Sequence, residues 1–183
     1  MRSNLFIFLA LLLVMGFLSF LFLNSSTKPN LLKTEIEIVQ NLQTLPAFQA
    51  QDLNKKFWTD SDLKNKFTLL HFWASWCAPC VVELPKLIQL AKDEPSYLVL
   101  AISSDNDLKS LNRFLEKQNL KNLPQNFVII LDEHKKLTQD LFQTFKLPET
   151  ILVNKKGQMV QKIAGDADWN SSNIRARLKA LQE

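Results

Sequence analysis

The chain has 183 residues, of which 46% are hydrophobic and 22% are charged, and its net charge at neutral pH is +4. This length and composition suit one soluble domain with a hydrophobic core, preceded by a short N-terminal segment. The net charge is small and dispersed, so it gives no indication of a nucleic-acid-binding surface, and we expect no nucleic-acid partner.

An apolar segment without any charged side chain covers residues 5–23. A helix needs about 20 such residues to cross a bilayer, so we predict an uncleaved membrane anchor over residues 1–23. A cleaved signal peptide is the alternative, but its apolar stretch is usually shorter and ends in small residues, unlike Phe22-Leu23-Asn24. Arg2 weakly favours a single-pass orientation with the domain outside the cytoplasmic membrane.

Two further regions follow the predicted anchor. Residues 24–44 form a linker and connecting segment that begins polar and contains Pro29. Residues 45–183 form the globular domain. Within residues 31–45, apolar and charged side chains mix without a clear period, so neither helix nor strand is favoured there.

Strands and helices alternate along the globular domain. A short hairpin is predicted at residues 48–57, and residues 67–73 (FTLLHFW) form a buried strand. Residues 78–92 repeat apolar side chains every 3.6 residues or so, which indicates an amphipathic helix. The later predicted elements are strand 97–102, helix 107–117, strand 127–131, helix 137–145, strands 150–153 and 158–164, and helix 171–181. This order predicts an α/β domain whose central mixed β-sheet is flanked by helices on both faces.

The only two cysteines, Cys77 and Cys80, lie where the first long strand passes into the first long helix. In a first helical turn this spacing puts both sulfurs on one face, where they can close a disulfide. Cys77 meets unpaired N–H groups and the positive end of the helix dipole, which favour its thiolate. We therefore predict that Cys77 attacks and that Cys80 resolves the mixed disulfide. Pro79 fits the first turn, where its missing N–H costs nothing.

Two other uses of a cysteine pair were weighed. A structural disulfide is possible outside the cytoplasm, but a loop this short constrains the unfolded chain little. A zinc site needs four ligands, and the only histidines are His71, inside a predicted strand, and His134, far along the chain. We therefore expect no metal and no cofactor besides the redox-active pair.

Glu83 and His71 are candidate proton-handling residues. Glu83 lies three residues after Cys80 on the predicted helix, near enough to exchange a proton with it or to act on the cysteines through its charge. The alternative is an ordinary exposed glutamate. His71 could accept a proton, although a packed core histidine is the favoured interpretation.

Residues 71–87 (HFWASWCAPCVVELPKL) closely resemble the active-site segment of the TlpA/ResA/DsbE-like branch of the thioredoxin superfamily, the cytochrome c maturation type. Residues 145–150 resemble the loop that carries a cis-proline beside the cysteines in that family. The resemblance covers most of residues 45–183 and implies a thioredoxin fold with a cis bond between Leu147 and Pro148. One departure is His71, since thioredoxins have Asp at that position and this branch often has Asn.

The resemblance also implies a function. Cys77, Cys80 and Glu83 would be catalytic, while Trp76, Pro79, Leu147 and Pro148 would bind an extended substrate segment. Pro79 before the second cysteine is typical of reducing members. The chain is then expected to be a membrane-anchored extracytoplasmic reductase of protein disulfides, with apocytochrome c as the leading substrate and a membrane electron-donor protein that re-reduces it.

Two alternatives to this function stay open. The first is a more general extracytoplasmic disulfide reductase. The second belongs to a different class, a copper-handling thioredoxin-like chaperone whose two cysteines bind Cu(I). That family usually adds a downstream His or a Met-rich segment at the site, and His134 lies outside the expected motif.

Overall fold

A computed structural model of the chain describes residues 36–37, 43–120 and 122–182. No helix within these ranges is long and apolar enough to cross a membrane. The predicted anchor, residues 1–23, lies outside the described residues, so it stays a prediction.

Nine strands and three α-helices make up the described chain. The strands are β1 (Ile36–Glu37), β2 (Gln43–Thr44), β3 (Gln49–Gln51), β4 (Phe57–Thr59), β5 (Phe67–Trp73), β6 (Tyr97–Ser103), β7 (Phe127–Leu131), β8 (Glu149–Val153) and β9 (Gln158–Ala164). The helices are α1 (Ala78–Asp93), α2 (Leu108–Lys117) and α3 (Ser172–Ala180). Two short helical turns lie between strands. One is a 3-10 helix (Asp60–Leu63) between β4 and β5, and the other is a π-helix (Lys136–Leu141) between β7 and β8.

The main sheet has seven strands in the order β1-β9-β8-β5-β6-β7, and β2 also pairs with β9. β5, β6 and β7 are parallel, whereas β8 and β9 run antiparallel to their neighbours. β3 and β4 form a separate antiparallel pair. The carboxyl ends of the three parallel strands therefore meet at one edge, where a functional site in an open α/β sheet is expected.

Alternate side chains of the central strands enter two different hydrophobic clusters, as the pleat requires. Leu69 and Trp73 of β5 pack in the cluster that receives apolar side chains of all three α-helices. Leu70 and Phe72 pack in the second cluster. The β3–β4 hairpin covers this cluster, together with residues of the 3-10 helix and of the π-helix segment. The prediction of a mixed sheet with helices is confirmed. The three α-helices share one cluster, however, and within the described part of the chain the second cluster is covered by only the two short helical turns and the β3–β4 hairpin.

Most predicted elements coincide with observed ones, and the largest difference is in residues 137–145. The structure has a single π-helix, Lys136–Leu141, in place of a longer α-helix. Lys135 before it and Gln143 after it have positive φ angles of 58° and 51°. The Asp132 carboxylate accepts from the N–H groups of Leu137 and Thr138, which fixes the start of this turn. Left-handed residues at both ends stop an α-helix from continuing.

The segment whose secondary structure the sequence left undecided contains two short strands. β1 and β2 both pair with β9, and the N–H of Leu45 donates to the carbonyl of Gly157 at 3.0 Å. Part of residues 24–44, predicted as linker and connecting segment, therefore joins the main sheet. The predicted domain boundary at residue 45 stays a prediction.

Deleting β1 and β2 tests what this pairing contributes. We expect a chain of residues 45–183 to fold but to be less stable than a chain of residues 28–183 by about 1–2 kcal/mol, because β9 loses its outer partners. Urea unfolding of the two proteins measures the difference. Equal stability would show that the pairing contributes nothing, and failure of residues 45–183 to fold would place the boundary earlier in the chain.

Candidate active site

Cys77 and Cys80 form a disulfide at the junction between β5 and α1. Cys77 is the N-cap of α1, and its Sγ accepts from the backbone N–H of Cys80 at 3.4 Å. Pro79 is in the first turn, where helices tolerate proline. The exposed fraction is 7% for Cys77 and 0% for Cys80. An approaching disulfide can therefore reach Cys77 more readily than Cys80.

The loop that enters this helix is fixed by a buried carboxylate. Asp105, just after β6, accepts from the backbone N–H of Ser75 at 3.1 Å and from its hydroxyl at 2.6 Å. The Ser103 hydroxyl donates to the same carboxylate at 2.6 Å. Because Asp105 is buried, these hydrogen bonds tie the residues before Cys77 firmly to the carboxyl end of β6.

Glu83 lies on the buried side of α1, with an exposed fraction of 2%. Its Oε1 accepts from the indole N–H of Trp169 and from the backbone N–H of Ala167, the latter at 3.2 Å. Its Oε2 has no hydrogen-bond partner among the described residues. Burial raises the pKa of the Glu83 carboxyl to about 7, against the opposing effect of these two hydrogen bonds. At neutral pH this carboxyl can therefore both bind and release a proton.

His71 is fully buried in β5. Its Nδ1 lies 2.9 Å from the Thr150 hydroxyl, and its Nε2 has no partner in the described part of the chain. Burial lowers the pKa of His71 to about 3, because a charged imidazole would lose its hydration. A ring that stays neutral at physiological pH favours the packed core histidine over the proton acceptor.

The peptide bond between Leu147 and Pro148 is cis, as the resemblance implied. The Pro148 carbonyl accepts from the N–H of Gly165 at 2.9 Å. The next residue, Glu149, is buried and accepts from the Thr144 hydroxyl and from Lys162 Nζ, the latter at 2.9 Å. Hydrogen bonds thus hold the cis-proline loop from both sides. β9 and the residue after it contact the loop from one side, and Thr144, which precedes the loop in the chain, contacts it from the other.

A groove of about 300 Å³ opens beside Cys77. Trp76, Pro79, Phe145 and Leu147 form much of its lining. The side chains of Trp76 and Phe145 are 65% and 74% exposed, which is unusual for two large aromatic residues. Exposed aromatic rings around a reactive sulfur are typical of a surface that binds another polypeptide.

The structure brings most of the predicted site residues together. Trp76, Cys77, Pro79 and Leu147 line one groove, and Pro148 is buried next to Leu147. Cys80 and Glu83 lie in the interior. Within the described ranges no three His, Cys, Asp or Glu side chains are grouped so that they could bind a metal ion.

Sequence reasoning missed the partners of these residues. Asp105 and Ser75 were not singled out, although a polar residue after a buried parallel strand is a usable signal for the shared strand edge. Trp169 was not assigned a role either, and its hydrogen bond to Glu83 spans 86 residues. No local pattern could have predicted that contact.

This fold and this disulfide define a thiol–disulfide oxidoreductase of the thioredoxin type. The model of the Redoxin family matches residues 40–178, so the chain belongs to the Redoxin family.

Individual relatives agree with this class. The thiol-disulfide oxidoreductase ResA of Bacillus cereus is 30% identical over 123 residues, which cover 66% of this chain and 68% of that protein. A putative thioredoxin from Neisseria meningitidis is 28% identical, has a TM-score of 0.65 and aligns over 77% of this chain and 91% of its own. A putative thiol:disulfide interchange protein DsbE from Chlorobium tepidum has a TM-score of 0.67 at 22% identity, over 78% and 97% of the two chains. The predicted TlpA/ResA/DsbE-like oxidoreductase is confirmed.

The buried Glu83 carboxyl makes stability depend on pH. Its pKa is about 7 when folded, against an ordinary 4.5, so between these values the folded protein holds a proton that the unfolded chain releases. The free energy of unfolding therefore falls as pH rises through this window. Glu83→Gln removes this pH dependence. From pH 5 to pH 8 the free energy of unfolding of the wild type should therefore fall by up to about 3 kcal/mol relative to that of the variant.

Urea unfolding of the oxidised proteins at both pH values measures this difference. Glu133→Gln is the matched control, since Glu133 is exposed. A wild-type minus variant difference that stays constant with pH would contradict the raised pKa of Glu83.

Proposed function

We propose that this oxidoreductase is a membrane-anchored, extracytoplasmic reductase of protein disulfides, with apocytochrome c as its leading substrate. The observation that carries the proposal is a redox-active disulfide whose outer sulfur opens onto an aromatic groove and whose helix buries a carboxyl with a pKa of about 7. The resemblance of residues 71–87 to the cytochrome c maturation type supports the substrate. The apolar residues 5–23 support the anchor.

In the reducing direction both cysteines start as thiols. The Cys77 thiolate attacks one sulfur of the substrate disulfide, a mixed disulfide forms, and the other substrate sulfur leaves as a thiolate. Cys80 then attacks the Sγ of Cys77 and releases the second substrate sulfur. The substrate gains two electrons and two protons, while the protein is left with the Cys77–Cys80 disulfide seen here. A membrane electron-donor protein with its own thiol pair returns it to the dithiol.

Cys80 must lose a proton before it can attack, and its sulfur is fully buried. Glu83 follows one helical turn later on α1, and its Oε2 has no partner among the described residues. A carboxylate with a pKa of about 7 can take the Cys80 proton near neutral pH and return it in the reverse reaction. In this proposal Glu83 is the proton acceptor, and His71 takes no part.

The substrate segment lies along the groove in this proposal. Trp76 and Pro79 contact it from one side, and Leu147 from the other. Neither the N–H nor the carbonyl of Leu147 is used in a hydrogen bond within the described part of the chain. Both groups can therefore pair with an extended backbone, as in the addition of a strand to a sheet edge. Pro148 keeps this backbone in place.

Location follows from the same chemistry. A reductase of protein disulfides has substrates where disulfides form, which is outside the cytoplasm. A single-pass anchor in the cytoplasmic membrane would hold the domain on that side, near both the donor and newly translocated substrates. The anchor and this location are parts of the proposal.

Loss of the resolving thiol should trap the substrate. In Cys80→Ser the attack by Cys77 still occurs, but nothing within the protein breaks the mixed disulfide, so covalent complexes accumulate. We expect several-fold more DTT-sensitive complexes with Cys80→Ser than with the control Cys77→Ser. Non-reducing electrophoresis of membranes and mass spectrometry of the trapped partners provide the measurement.

The identity of the partners separates the alternatives. Apocytochromes among them support the proposal, whereas many unrelated exported proteins without apocytochromes indicate a general reductase. Equal trapping by Cys77→Ser and Cys80→Ser would contradict the assigned roles of the cysteines. If neither variant traps a partner while Cu(I) titration shows tight binding to the reduced protein, the chain is a copper-handling chaperone instead.

A further inference from the structure

Lys135 carries the only charge among the described residues that line the groove beside Cys77. We propose that Lys135 is a specificity-determining residue that favours substrates with an acidic side chain within a few residues of the attacked disulfide. This inference rests on the proposed reduction of protein disulfides and narrows its substrate class. An apocytochrome segment meets the condition when a residue next to its Cys-x-x-Cys-His site is Asp or Glu.

The ammonium of Lys135 has hydrogen-bond partners but no counter-charge. Its Nζ donates to the Asp105 carbonyl at 3.3 Å, to Asn106 Oδ1 at 3.3 Å and to the Glu133 carbonyl at 3.1 Å. None of these acceptors is a carboxylate. Because all three bonds are longer than the most common N–H···O distance of about 2.9–3.0 Å, an arriving carboxylate can replace one of them with a shorter, charge-assisted bond.

Asp105 and Asp132 contact Lys135 through their backbone carbonyls, and their buried carboxylates form hydrogen bonds with other groups. Asp105 accepts from Ser75 and Ser103 through its side chain, and Asp132 accepts from the π-helix segment. No described carboxylate lies within ion-pair distance of Lys135. The half-buried ammonium therefore remains available to a charge on the substrate.

The position of Lys135 relative to the reactive sulfur is fixed. Its φ of 58° is uncommon for a residue with a side chain, and its N–H donates to the Asp132 carbonyl at 2.9 Å. Its own carbonyl accepts from the N–H of Gln139 at 2.7 Å. Through Asp105 the ammonium is also linked to Ser75, two residues before Cys77. A charge held in this way selects among substrates better than one on a freely moving side chain.

The test uses three synthetic peptides that share a disulfide-closed Cys-x-x-Cys sequence and differ only in the residue before the first cysteine, which is Glu, Gln or Lys. The reduced full-length protein in detergent is mixed with each peptide, and the rate at which the protein becomes oxidised is measured at low and at high salt. The variants are Lys135→Met, which keeps the length of the stem, and the control Lys156→Met. Lys156 is exposed in the turn between β8 and β9 and does not line the groove.

For the wild type and Lys156→Met we expect the Glu peptide to react about 3- to 5-fold faster than the Gln peptide at low salt, and the Lys peptide more slowly than the Gln peptide. In Lys135→Met the rates for the three peptides should be nearly equal. They should also be nearly equal for the wild type at about 1 M salt, because salt screens the charge of Lys135.

Three results would overturn the inference. The first is a wild type that does not discriminate among the peptides, and the second is a preference for the Glu peptide that persists in Lys135→Met. The third is an equal slowing of all three peptides by Lys135→Met, which would show that Lys135 acts on Cys77 and not on the substrate. A wild type that is oxidised by none of the peptides would instead contradict the proposed reductase function.

Discussion

The first turn of α1 is closed by a sulfur atom, because the N–H of Cys80 donates to the Sγ of Cys77. The same atom is therefore the helix cap and half of the disulfide. This geometry requires β5 to end at Trp73 and α1 to begin at Ala78, with a loop between them that is held by the buried carboxylate of Asp105. When the disulfide is reduced, the unpaired N–H groups of the helix start face the Cys77 sulfur and favour its thiolate.

The buried face of the same helix, one turn after Cys80, carries the second constraint. Glu83 is buried, and among the described residues only its Oε1 has hydrogen-bond partners, which are Trp169 and Ala167 before the start of α3. Burying a carboxylate in this way reduces stability above neutral pH. In the proposed reaction this carboxylate accepts the proton of Cys80. The C-terminal segment thus contributes to the hydrophobic core, and its two hydrogen bonds lower the pKa of Glu83 against the larger effect of burial.

Much of this arrangement was predictable from local patterns. Strand β5, helix α1 and the roles expected of Cys77 and Cys80 follow from hydrophobic periodicity and from the spacing of the cysteines. The cis bond before Pro148 followed from the family resemblance alone. Contacts between distant parts of the chain, such as Glu83 with Trp169, leave no periodic signal. The π-helix replaced the predicted α-helix because the Asp132 side chain and two left-handed residues outweigh the helical pattern of residues 137–145.

In the proposed reaction Cys77, and not Cys80, is the thiol that attacks the substrate disulfide, and alkylation of the reduced protein tests this role most directly. The reduced protein is treated with limiting iodoacetamide at neutral pH, and peptide mapping by mass spectrometry measures modification of each cysteine against time. The helix-cap position and the greater exposure of Cys77 predict that it is alkylated on the order of ten times faster than Cys80. Equal rates, or faster alkylation of Cys80, would contradict the account.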